Sequence, residues 1–70
     1  MTNNKLNCWT SQYEVLENGQ WVLAIETFFP LTLDNYDKAK EQVEYNKRMF
    51  SHVKHMRSFE VGKAYHPHYK

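Results

Sequence analysis

Four histidines and one cysteine are the residues that would hold a metal if this chain held one. His52 and His55 make an H-x-x-H pair, His66 and His68 an H-x-H pair, and Cys8 offers a thiolate, all donor types that zinc accepts. Their spacing does not converge. His52 and His55 straddle an expected helix end, His66 and His68 flank Pro67, and no second cysteine completes a knuckle. We therefore expect solvated or capping histidines, with no metal and no cofactor.

The catalytic signatures fare no better. The chain has no G-x-S-x-G, no phosphate loop, no dinucleotide glycine pattern and no H-E-x-x-H. A lone Cys8 at the start of a strand reads as a small packed hydrophobe rather than a nucleophile. Glu14 and Glu26 are expected on one sheet face but without pairing, so they would wet that face rather than share a proton. A thin domain also struggles to build the roughly 300 Å³ pocket that small-molecule chemistry needs. The expectation is a protein that is not an enzyme.

Charge is the more informative polar feature. The net charge is +1, which disfavours both a uniformly acidic nucleic-acid mimic and a chain that binds polyanions over its whole surface. The distribution is uneven: residues 1–35 sum to minus three and residues 36–70 to plus four. Lys47, Arg48, Lys54 and Arg57 gather around the expected helix end, with His52 and His55 among them and Phe50 and Phe59 nearby in sequence. Such a cluster fits an acidic protein patch or a phosphate backbone, and it also complements the negative end of a helix dipole.

The elements that must position these residues follow from periodicity. Trp9, Ser11, Tyr13 and Val15 alternate with polar neighbours, and Trp21, Leu23, Ile25, Thr27 and Phe29 repeat the period of two. Glu17-Asn18-Gly19-Gln20 between them is a hairpin signal. A two-residue loop would pair Tyr13 with Ala24, whereas a three-residue loop with Gly19 as a bulge pairs Val15 with Trp21 and Tyr13 with Leu23. The second register collects the large odd residues on one face, and it is the one expected. Thr10, Gln12, Glu14, Val22, Ala24 and Glu26 then form the opposite, wettable face.

Pro30 should end the second strand. A helix follows, with Asp34 as the expected N-cap and Thr32 as the alternative. Its inward stripe is Tyr36, Ala39, Val43 and Phe50, interrupted by Asn46, and it should stop between Phe50 and Val53. A third strand fits His55–Val61, with Arg57, Phe59 and Val61 on one side and Gly62 closing it.

Strand, strand, helix, strand implies an α+β fold of ββαβ type: a three-stranded antiparallel sheet in order 3-1-2 with one helix packed on one face. Seventy residues allow a single domain over 1–70, read as an arm at 1–7, a core at 8–62 and a tail at 63–70. No apolar run approaches the roughly 18 residues of a membrane span, the N-terminus lacks a signal-peptide core, and one cysteine suits a reducing compartment, so a cytoplasmic chain is expected.

In architecture the chain resembles the short phage-encoded inhibitors of bacterial RNA polymerase, through Trp9 opening the hairpin, Thr32-Leu33-Asp34 before the helix and Phe59-Glu60-Val61 in the last strand. The resemblance implies a minimal domain that occupies a surface on something larger. The expected function is a non-catalytic protein-binding module of phage or mobile-element origin that inhibits or modulates a host macromolecule in the host cytoplasm. Its expected contacts are Lys47, Arg48, Lys54 and Arg57 toward an acidic patch, with Glu14 and Glu26 toward a basic one. A small nucleic-acid-binding domain using the basic cluster and a self-associating structural subunit are the alternatives.

Overall fold

A computed structural model describes residues 5–67. Strand β1 (Cys8–Glu17) and strand β2 (Gln20–Phe28) form the hairpin, helix α1 (Leu33–Phe50) follows, and strand β3 (Met56–Ala64) completes the sheet. The strand order is β2-β1-β3, with β1 antiparallel to both neighbours. This is the expected ββαβ arrangement. β3 runs past Gly62 to Ala64, so Lys63 and Ala64 belong to the sheet and not to a tail.

The hairpin departs from the expected register. Glu17 pairs with Gln20, Leu16 with Trp21, Glu14 with Leu23 and Tyr13 with Ala24, so the loop is two residues long. Asn18 and Gly19 both take positive φ, 51° and 79°, the pair of left-handed residues that matches a tight turn to the twist of its strands. The expected bulge is absent and the phase inverts: the odd side of β1 now shares a face with the even side of β2.

Helix α1 covers the face that carries Trp9, Ser11 and Tyr13. The Trp9 and Tyr36 rings meet edge to face at 4.8 Å, and the Trp9 Nε1–H donates to the Thr32 carbonyl at 3.1 Å. Asn46 is buried and bonded, its Nδ2 donating to Ser11 Oγ at 3.4 Å while its Oδ1 accepts from Gln42. The interruption in the apolar stripe is therefore a polar rivet between helix and sheet. Thr32, not Asp34, is the N-cap, accepting from the Asn35 N–H; Thr32 has the extended backbone a cap needs, and Asp34 already lies inside the first turn. The helix ends at Phe50 with Ser51 as C-cap, within the expected bounds.

β3 carries a bulge that no residue type announces. Gln12 pairs with Glu60 but Glu14 pairs with Arg57, so one extra residue is accommodated opposite Tyr13, and Ser58 takes φ 61°. The bulge separates two residues expected on one side. Phe59 stacks on Tyr13 at 5.7 Å beneath the helix, whereas Arg57 turns to the other face. Gly62 lies inside the strand opposite Thr10, and a Cβ there would stand 2.8 Å from both Thr10 Oγ1 and Gln12 Oε1. The missing side chain lets the Thr10–Gln12 hydrogen bond lie across the strand.

The turn supplies a stability test. A Cβ on Gly19 meets nothing within 4 Å, so Gly19→Ala carries only the backbone cost of a left-handed residue, about 1–2 kcal/mol. Urea unfolding should show that loss at unchanged m-value, and an unchanged midpoint would contradict the two-residue turn.

Candidate protein-binding surface

The inverted phase leaves the second sheet face without a layer over it. Leu16, Leu23 and Ile25 are 38%, 57% and 49% exposed on that side, around a half-buried Trp21. The expectation that Trp21, Leu23 and Ile25 lie under the helix is thus overturned: they face solvent. Small residues sit beneath α1 instead. Ser11 and Ala39 are fully buried, with Val43 beside them in the buried helix stripe, which permits a close approach that a row of Trp, Leu and Ile would block.

Arg57 braces this face across three strands. Its Nε donates to Glu14 Oε1 at 2.8 Å, and its guanidinium carbon stands 3.8 Å from the centroid of the Trp21 ring. The side chain therefore starts on β3, pairs with β1 and stacks on β2. Ser58 Oγ also donates to Glu14 Oε1, at 3.2 Å. These partners, the Arg57 hydrogen bond foremost, hold the Glu14 carboxyl below its ordinary range. Gln12 and Glu60 extend the polar half of the face toward β3. At its other end the sheet is closed. Cys8 and Thr10 are buried there, burial pushes the Cys8 thiol up, and Sγ bonds the Ala64 carbonyl.

The residues expected to make contact fall into separate groups. Lys47 and Arg48 share the last turn of α1, with Glu44 one turn back, and Lys54 is exposed in the following connection. Arg57 leaves this cluster for the open face, so the expected four-base patch does not form. Glu14 and Glu26 do not share a face either. Glu14 stands opposite Leu23, while Glu26 stands opposite Ser11 on the helix side. There it borders a cleft of about 230 Å³ between α1 and β2, lined also by Ser11, Tyr13, Ala24, Gln42 and Asn46.

Of the histidines, His66 docks on the sheet end: its N–H donates to Asn7 Oδ1, its carbonyl accepts from Asn7 Nδ2, and its ring meets Phe29 edge-on at 5.4 Å. Tyr65 beside it is exposed, and His68 and Tyr69 lie outside the described residues. Among the described residues no group of three or more His, Cys, Asp or Glu is placed to hold a metal ion.

The Trp21–Arg57–Glu14 brace needs both the two-residue turn and the Ser58 bulge. Asn18-Gly19 signalled the first; nothing in the residue types signalled the second.

No helix among the described residues is long and apolar enough to cross a membrane. Comparison with protein-family models, with curated proteins and with solved structures found no match.

Because the Glu14 carboxyl is held low, the stabilisation it brings is present in full above the unfolded value of about 4.3 and is lost as pH falls through the folded value. Glu14→Gln should therefore flatten the decline in stability below about pH 4.3, measured by urea unfolding across pH. A variant with the wild-type acid limb would contradict the brace.

Proposed function

We propose that the chain is a non-catalytic protein-binding module that docks through the uncovered sheet face. One observation carries the reading: Leu16, Leu23 and Ile25 stand exposed together, beside an aromatic ring backed by a guanidinium. Exposed apolar residues gathered in one patch and rimmed by polar ones mark interaction surfaces, and Trp and Arg are the side chains that most often dominate their energetics. Glu14, Arg57, Gln12 and Glu60 supply the rim.

This surface replaces the basic cluster as the leading contact. Arg57 is already committed to Glu14, and Glu44 lies beside Lys47 and Arg48, which weakens both an acidic-patch contact and a phosphate track at the helix end. The finer reading rests on the resemblance of the sequence alone: a phage or mobile-element chain that occupies a surface of a host macromolecule in the cytoplasm and inhibits or modulates it.

A pull-down from bacterial lysate distinguishes the surfaces. Leu23→Lys with Ile25→Lys should abolish capture of the partner held by wild type, while Ala at Lys47, Arg48 and Lys54 should leave it. Capture that survives the first variant and fails with the second, both shown folded by circular dichroism, would overturn the reading in favour of the basic cluster.

A further inference from the structure

β2 is an edge strand whose apolar side chains are exposed on both sheet faces: Leu23 and Ile25 on the open side, and Val22, 44% exposed, on the helix side. α1 lies mainly over β1 and β3 and covers β2 thinly. A strand exposed on both faces along one edge lacks a neighbour rather than a lid. The edge also lacks the devices that usually blunt one. Between Trp21 and Phe28 it has no proline, no lysine and no bulge, and Glu26 is its only charge. The opposite edge, β3, carries the Ser58 bulge and the charged Arg57, Glu60 and Lys63.

The turn fixes which backbone groups face outward. Glu17 and Gln20 close it as a hydrogen-bonded pair, so Val22, Ala24, Glu26 and Phe28 bond to β1 and Trp21, Leu23, Ile25 and Thr27 direct their N–H and C=O groups away from the sheet. We propose that the occupant of this edge is a second copy of the chain, its β2 antiparallel to the first about a two-fold axis at Ala24, making a six-stranded sheet.

The strand is self-complementary in that register. Pairing about Ala24 uses all of Gln20–Phe28 without overhang. It sets Leu23 against Ile25 of the second copy and Trp21 against Thr27, both hydrogen-bonded pairs on the open face. Glu26 falls opposite Val22 rather than opposite itself, so no like charges meet, and a net charge of +1 adds little long-range repulsion between copies. The two apolar stripes merge at the centre of one wider face, so the surface of the proposed function is enlarged, not consumed.

Area sets the strength. Nine residues at about 3.4 Å each give an edge of roughly 30 Å, and the molecule is 14 Å across its thinnest Cα dimension. That section is well short of the roughly 800 Å² per partner of a standard interface. The dimer is therefore reversible and concentration-dependent.

Sedimentation and amide hydrogen exchange on the wild-type chain test this between about 1 μM and 1 mM, the span from firm to weak association. Mass should rise from monomer toward dimer, with the Leu23 and Ile25 N–H groups slowing at least about tenfold while those of Val22 and Ala24, already bonded within the hairpin, change far less. Ile25→Pro removes an outward N–H but no hairpin bond, and should leave a folded monomer. A monomer throughout, or a dimer in which the Leu23 and Ile25 amides stay unprotected, overturns the proposal. Neither result decides the lysate pull-down when that is run below about 1 μM, where the chain is monomeric and Leu23 and Ile25 report the open face alone.

Discussion

Two consecutive left-handed residues, Asn18 and Gly19, set the phase on which the rest of the molecule depends. Alternation within a strand determines which side chains travel together, and only the turn determines which set of one strand meets which set of the next. With a two-residue loop, Trp9, Ser11 and Tyr13 meet Phe28, Glu26 and Ala24 beneath the helix, and Trp21, Leu23 and Ile25 are carried to the far face. The chain forgoes burying its largest aliphatic row and gains a close helix–sheet contact over small residues. Among the described residues the buried apolar set is then small, Cys8, Ala39 and Val43.

The second phase change, at Ser58, works with the first. By holding one residue left-handed, β3 returns Phe59 to Tyr13 under the helix and sends Arg57 outward to the face where Glu14 and Trp21 wait. The Ser58 hydroxyl bonds the same carboxylate oxygen that accepts from Arg57, so the strained backbone and the ion pair support one another. An exposed ion pair alone contributes little, about 0–1 kcal/mol. Here it fixes the ring at the centre of the open face, which is a matter of preorganisation more than of stability.

Much of the architecture was legible in the residues. The period of two located both hairpin strands, and the helix stripe was readable down to Asn46, whose burial became intelligible only with Ser11 opposite it. The strand order followed from connectivity. The phase is not legible from apolar size alone, because grouping the largest apolar residues presumes that the helix must cover them. The turn dipeptide Asn18-Gly19 carried the opposite message through local backbone sterics, and it prevailed. The positions of the charged residues follow from the same cause: the two-residue turn puts Glu14 and Glu26 on opposite faces, and the Ser58 bulge carries Arg57 away from Lys47, Arg48 and Lys54, its neighbours in sequence.

Cross-strand proton contacts in the nuclear magnetic resonance spectrum test the phase most directly. Facing residues in non-hydrogen-bonded antiparallel pairs bring their Cα atoms to about 4.5 Å, close enough for strong Hα–Hα contacts. The two-residue turn predicts these between Glu14 and Leu23 and between Gln12 and Ile25. Contacts linking Tyr13 to Leu23 and Val15 to Trp21 instead would return the aliphatic row to the helix side and contradict the account.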